Sequence, residues 1–447
     1  MKKVYIETFG CQMNVSDSER IATTLSESGY QITSDESAAD VVILNTCSVR
    51  ERAEHKLYTR VGEIRRSKPK KPIVGITGCV AQLDGETLFE KISGVDFIMG
   101  TRATGRVANL VDATLSGKKQ IIDLNEREDD YDWTVADTHR HSPYVAFIPI
   151  IEGCNKFCTY CIVPFSRGRE KSLSAKTIVE QVRELMDKGV REVHLIGQNV
   201  NSYRPSTEEG LEGFSGRSPF TRLLRAVAAT GMERIKFTTS FPRDFRDEIV
   251  DAIEENENLC NWVHLPVQSG SDRVLSRMKR GHTIGKYLQK IDRIKRSPRN
   301  IAITTDVIVG FPGESDDDFE KTIDLFKYCR YDSAYIFKYS PRPGTPAFDM
   351  PDDVSPADKT LRFLRLQETQ KSIEREALPK KYLNKTLKVL VEGRSARTPN
   401  GYTGHSTCHK VVNFVADNDV IGQIVDVRVT EIKSNSLFGE VIQNDAR

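Results

Sequence analysis

The sequence predicts an α/β protein of three units: an open parallel α/β sheet, a central partial barrel of about six β/α repeats, and a small antiparallel β-barrel. Three observations predict it. The 447 residues exceed what one core organises, at about 150 residues per domain. Short apolar runs alternate with amphipathic stretches over 1–117 and again over 143–377, as parallel strands separated by helices do. Over 378–445 the runs shorten and alternate between glycines and polar turns, as in a small barrel. A composition of 38% hydrophobic and 29% charged residues can fill these cores and excludes wholesale disorder.

In the first unit, Val4–Thr8, Asp40–Asn45, Pro72–Thr77 and Asp96–Met99 read as strands. Ser16–Ser28, a basic stretch from Ser48 to Arg66, and the region near Gly85–Ile92 read as helices. Cys11, Cys47 and Cys79 each fall just past a strand. Carboxyl ends of parallel strands lie on one edge, where ligands bind, so three cysteines distant in sequence converge there. They are either ordinary buried thiols or ligands. Three thiolates are one short of a closed zinc site, but suit an iron–sulfur cubane with one iron left open. Gly10, Gly78 and Gly100 bracket the cysteines and are expected to admit such a cluster close to the backbone.

Residues 118–142 are dense in charge apart from one short apolar run, and read as a connector with one edge strand. His139 and His141 within it read as solvated side chains.

The central unit opens with Tyr144–Ile151 as a strand, followed by Cys154, Cys158 and Cys161 at C-x3-C-x2-C spacing. Three thiolates on one loop reach three corners of a single small cluster and leave its fourth iron free. Zinc competes, but no fourth cysteine or histidine lies nearby at finger spacing. Further strands are expected at Glu192–Ile196, Arg234–Thr238, Asn261–Pro266, Ala302–Val309 and Ser333–Lys338. Polar or small residues follow them: Gln198, Asn199, Ser240, Gln268, Ser269, Gly270 and Gly310. They are either rim and turn residues or ligand contacts. Gly310 and Gly313 lack the lysine and spacing of a phosphate loop.

Ser355–Leu378 reads as a long helix ended by Pro379. The barrel after it carries Lys380, Lys381, Lys385, Lys388, Arg394, Arg397, Lys410, Arg428 and Lys433, with Tyr402, His405, His409 and Phe414 interleaved. Such a surface suits an RNA backbone and unpaired bases, or is a solvated face of a structural barrel. Cys260, Cys329 and Cys408 read as inert thiols.

Lysine plus arginine number 65 against 63 acidic residues, a net charge of +2. That excludes a globally basic nucleic-acid wrapper but not a local basic groove. No apolar run nears the roughly 18 residues of a membrane span, and MKKVYIETFGCQMN has no apolar leader core. A cytoplasmic protein is expected, in which nine cysteines seldom form disulfides.

The C-x3-C-x2-C loop resembles that of the radical S-adenosylmethionine (SAM) superfamily. The order of units, with GCQMN at Gly10–Asn14, CNKFCTYCIVPFSRGRE at Cys154–Glu170 and YSPRPGTPA at Tyr339–Ala347, resembles the tRNA-modifying branch of the methylthiotransferase family over essentially the whole chain. The resemblance implies two 4Fe-4S clusters, an auxiliary one on Cys11, Cys47 and Cys79 and the radical-generating one on Cys154, Cys158 and Cys161. It implies SAM as methyl donor and radical source, with Tyr160, Gln198, Asn199, Ser240, Gln268, Ser269 and Gly310 as contacts. It implies a TRAM barrel that grips the tRNA anticodon stem-loop.

The implied reaction converts N6-isopentenyl-adenosine, just 3′ of the anticodon, to its 2-methylthio form. One SAM methylates sulfur held at the auxiliary cluster; a second yields the radical that removes hydrogen from the ring carbon. That C–H bond is neither acidic nor electrophilic, and the base must be unstacked to be reached. Both clusters are therefore expected to face one cavity. A flavodoxin or ferredoxin as electron donor, sulfur and iron–sulfur assembly proteins, and a monomeric state complete the expectation. The alternatives are a threonylcarbamoyl-adenosine or protein-aspartate substrate, or a non-catalytic iron–sulfur or zinc RNA-binding redox sensor.

Overall fold

The computed structural model describes residues 1–48, 51–67, 71–127, 139–396 and 400–442, with the side chains of 51–55 and 67 left aside. Arg397 and residues 443–445 of the expected barrel lie outside these, as do 128–138 of the connector.

The first unit is a six-stranded sheet of β1 (Lys3–Phe9), β2 (Gln31–Ile32), β3 (Val41–Thr46), β4 (Ile73–Gly78), β5 (Phe97–Met99) and β6 (Ile121–Asp123), ordered β2-β1-β3-β4-β5-β6. All its pairings are parallel. The apolar run of the connector is thus the sheet's edge strand. β3 shows why helices cover both faces. Val42 and Leu44 pack with Leu57, Val61 and Leu88, while Val41 and Ile43 pack with Ile21, Leu25 and Val107. A strand buried on both sides has no polar face, as its VVILN text requires.

The central unit contains β7 (Val145–Glu152), β8 (Lys171–Ser172), β9 (Glu192–Gly197), β10 (Arg234–Phe237), β11 (Trp262–His264), β12 (Ala302–Val309) and β13 (Ser333–Lys338). β8 is a short antiparallel addition to β7. The other six run parallel, as β10-β9-β7 and β11-β12-β13. A parallel bridge between Ile235 and Leu259 joins the two sets into a partial barrel. Outer helices at 175–187, 219–228, 272–277, 284–295 and 316–329 each start at a serine or threonine whose hydroxyl accepts a first-turn N–H.

The long helix Pro356–Tyr382 runs through Pro379 rather than stopping there. Proline disfavours a helix interior, but tertiary contacts hold this last turn. Leu378 and Tyr382 are buried in the barrel core, and Lys381 and Tyr382 both bond Asp332 at 2.9 Å. The barrel closes as β14 (Thr386–Arg394), β15 (Gly401–Ser406), β16 (Val411–Val415), β18 (Leu437–Val441), β17 (Ile424–Ile432). Its β16–β18 pairing is parallel and the others antiparallel. Among the described residues no helix is long and apolar enough to cross a membrane.

Candidate functional site

β1, β3 and β4 are neighbours in the first sheet, and Cys11, Cys47 and Cys79 follow them, so the three cysteines lie along one edge, with Arg167 near enough to influence both Cys11 and Cys79. Cys11 caps the helix Gln12–Glu27, its sulfur 3.3 Å from Asn14 Oδ1. A hydrogen bond with Cys47 is the main influence lowering the Cys11 thiol to about 6, against burial and with help from Arg167. Cys47 and Cys79 are buried.

The bracketing glycines stand where protein atoms crowd the backbone. A Cβ on Gly10 would meet Asn14 Oδ1 at 2.3 Å, one on Gly78 the Thr46 carbonyl at 2.3 Å, and one on Gly100 Gln82 Oε1 at 2.2 Å. Gly78 also needs its positive φ of 94° to turn β4 into the helix that begins with Cys79.

The second trio lies on the loop after β7. Cys154 N–H donates to the Gly168 carbonyl at 3.1 Å, and Cys161 N–H to the Cys158 carbonyl at 2.9 Å. Burial pushes the Cys154 thiol up to about 11 and Cys161 to about 12, the latter helped by Cys158. Arg280 is a cation at this loop: its Nη1 is 3.5 Å from Cys158 Sγ and 3.4 Å from Tyr160 OH. Its Nη2 donates to the Pro266 carbonyl at 2.8 Å. Cys11, Cys154, Tyr160 and Cys161 keep accessible surface, whereas Cys47, Cys79 and Cys158 are buried.

The strand-end residues divide into two groups. Gln198 and Asn199 spend their side chains on neighbouring backbone: Gln198 Oε1 accepts Gly153 N–H at 2.7 Å and Asn199 Oδ1 accepts Phe241 N–H at 3.2 Å. Ser269 is fully buried and accepts Ser271 N–H at 3.2 Å. Gly310 donates to Glu314 Oε2 at 2.6 Å, and a Cβ there would meet Lys359 Cγ at 2.3 Å. Gln268 adopts a positive φ of 77°, its N–H bonded to the Asp306 carbonyl at 2.9 Å. Ser240 Oγ, by contrast, is buried without a protein partner, as are Thr238 Oγ1 and Arg280 Nε. Those three atoms suit a polar ligand such as SAM. Thr238 and Arg280 carry no spacing or motif that marks them in the sequence.

No three His, Cys, Asp or Glu side chains among the described residues gather around a single metal-ion position. A cubane is wider than one ion, and each three-thiol donor set, cationic at one side, fits such a cluster. Arg167 supplies the cation beside the first trio. Its guanidinium is 2.6 Å from Asp17 and 3.0 Å from Glu152.

The barrel at the carboxyl end departs from expectation in its aromatics. Tyr402 and Phe414 face each other across β15 and β16, stacked in the core at 5.9 Å, because both occupy inward positions of the alternation. His409 lies 4.5 Å from Trp262 of the central unit, and His405 bonds Glu392 at 2.9 Å. Lys381 and Lys410 are likewise spent on Asp332 and its carbonyl. Lys380, Lys385, Lys388, Arg394, Arg428 and Lys433 remain exposed. Cys260, Cys329 and Cys408 are buried.

Residues 3–100 match the uncharacterized protein family UPF0004, 148–326 the radical SAM superfamily and 380–442 the TRAM domain. The radical S-adenosylmethionine methyltransferase TsrM of Kitasatospora setae, solved with cobalamin and a 4Fe-4S cluster, has the same fold with a TM-score of 0.56 at 16% identity, covering 78% of this chain and 77% of that one. The tRNA-2-methylthio-N(6)-dimethylallyladenosine synthase of Solibacter usitatus is 42% identical, covering 98% of each chain. That of Clostridium tetani is also 42% identical, over 98% of this chain and 96% of its own. That of Actinobacillus succinogenes is 41% identical, over 99% and 93%. With this identity along its whole length, the chain belongs to the tRNA-2-methylthio-N(6)-dimethylallyladenosine synthase family, built on a radical SAM core.

Proposed function

We propose that the protein is a radical SAM methylthiotransferase that converts N6-isopentenyl-adenosine next to the tRNA anticodon to the 2-methylthio form. The observation that carries this reading is the placement of two three-thiol sets at strand ends, with the single buried Arg167 touching the elements of both. Units 1–117, 143–377 and 378–445, with 118–142 between the first two, would divide the work into sulfur supply, radical chemistry and RNA grip.

Cys154, Cys158 and Cys161 would hold one 4Fe-4S cluster and Cys11, Cys47 and Cys79 a second. When bound, the clusters supply electron transfer to SAM at the first and a sulfur-holding site at the second. Around them the chain's own groups orient and shield. Arg280 sets a fixed positive charge against the buried Cys158 sulfur and the Tyr160 hydroxyl. Thr238 and Ser240 offer unpaired hydroxyls to SAM, and Gln268, held at a positive φ beside β12, would be a further contact. Gln198 and Asn199 act on SAM through the loops that they fix. A small flavodoxin or ferredoxin would bring electrons, assembly proteins would load the clusters, and the monomer would work in the cytoplasm.

The test is anaerobic reconstitution followed by incubation with SAM, reductant and isopentenylated tRNA. Nucleoside mass spectrometry is expected to show the 2-methylthio product. The isopentenylated nucleoside remaining unchanged, with a threonylcarbamoyl-adenosine tRNA or a protein substrate modified instead, would move the chain to another substrate.

A further inference from the structure

Arg167 lies six residues past Cys161 and is 2% exposed. Burying a guanidinium costs more than burying an apolar side chain of that size unless its partners are in place. Here those partners come from both lobes. Asp17, 2.6 Å from Nη2, stands on the helix that Cys11 caps; Glu152, 3.0 Å from Nη1, ends β7 two residues before Cys154. Asp17, Cys79 and Glu152 together outweigh the burial that opposes its charge.

The main chain around Arg167 is gripped in the same way. The Ser166 carbonyl accepts Thr101 Oγ1 at 3.0 Å, and the Arg167 carbonyl accepts Arg102 Nη2, both donors from the first unit. The next carbonyl, that of Gly168, accepts the N–H of Cys154 at 3.1 Å. Residues 166–168 therefore fasten the first unit to the loop of the second trio, with the guanidinium at the centre of the joint.

Resting on the function proposed above, we infer that Arg167 is a positioning residue that holds the two thiol trios in register, so that sulfur at one meets the substrate radical formed at the other. Misplacement by about 1 Å costs on the order of 100-fold in such a transfer, whereas a joint that only stabilised the fold would leave the transfer efficiency unchanged.

The test compares Arg167→Gln, Arg167→Lys and Asp17→Asn with the parent chain, all reconstituted anaerobically to equal iron content. Two quantities are read: methylthiolated nucleoside formed per 5′-deoxyadenosine released, and the magnetic interaction between the reduced clusters in electron paramagnetic resonance. Arg167→Gln is expected to lower the ratio at least tenfold and weaken the interaction. Arg167→Lys recovers part of both, and Asp17→Asn moves both the same way as Arg167→Gln. An unchanged ratio and spectrum in Arg167→Gln overturn the assignment. Should that variant not fold, the same result in Asp17→Asn and Arg167→Lys overturns it. A parent chain that forms no methylthio product, or holds a single cluster, refutes the function and the inference together, whereas a working parent with unaffected variants refutes the inference alone.

Discussion

Glu192→Gln tests a buried charge cluster outside the thiol loops. The Glu192 carboxylate lies 2.6 Å from Arg234 Nε and 2.8 Å from Lys236 Nζ, with side chains 2%, 3% and 1% exposed. His194 also bonds it. Burial would raise this carboxyl, but Lys236, Arg234 and His194 outweigh it and hold it well below the usual range. Neutralising it strands two buried cations, which costs about 3–5 kcal/mol. With an m-value of about 3 kcal/mol/M in urea, the midpoint of the central unit falls by about 1 M. Circular dichroism of the metal-free full chain reads this directly.

Adding Lys236→Met to Glu192→Gln removes one stranded charge, and the coupling is expected to return about 2 kcal/mol. The ion pairs contribute fully above the unfolded carboxyl pKa of about 4.3 and fade as pH falls toward the depressed folded value, so Glu192→Gln flattens that acid limb. A single variant costing under about 1 kcal/mol, or a double variant whose losses simply add, would refute the picture of a charge-balanced buried cluster.

Three further outcomes follow from the site. Arg280→Met, which removes the cation beside Cys158 and Tyr160, is expected to slow 5′-deoxyadenosine release by about 100-fold, with Arg280→Lys intermediate; equal rates would leave Arg280 a packing residue. Cys158→Ala is expected to abolish SAM cleavage, and Cys47→Ala to keep some cleavage while losing sulfur insertion, both read by chromatography of nucleoside products. In reduced, metal-free protein at pH 7, iodoacetamide is expected to alkylate Cys11 at least about tenfold faster than Cys154 or Cys161. Cys11 is mostly thiolate above about 6, whereas the other two stay protonated to about 11 and about 12; peptide mass spectrometry that finds the order reversed would contradict the Cys11–Cys47 hydrogen bond.

Periodicity made most strands readable: β3 opens on the apolar run Val41–Leu44, which only a sheet covered on both faces can bury. The cysteine positions were readable for a different reason: strand ends of a parallel sheet share one edge, so sequence order predicts convergence. Arg167 and Arg280 were not, since their importance lies in what meets them across sequence separations of 150 and 122 residues. Pro379 misleads because local preference loses to the Asp332 contacts beyond it. Tyr402 and Phe414 mislead because whether a strand position points inward depends on register, which no window of sequence states.

The carboxyl-terminal barrel is bolted to the wrong end of the central unit for direct contact with the chemistry. Asp332, Arg234 and Trp262, which receive it, stand at the starts of β13, β10 and β11, while the thiol loop leaves the finish of β7. β7, eight residues from Val145 to Glu152, starts level with Arg234 through Glu192 and spans about 26 Å, so that length separates handhold from workbench. With the function proposed above, a nucleoside or short oligonucleotide is expected to be too short to engage the barrel and the thiol loop together, whereas a folded RNA with an arm of that reach is expected to engage both.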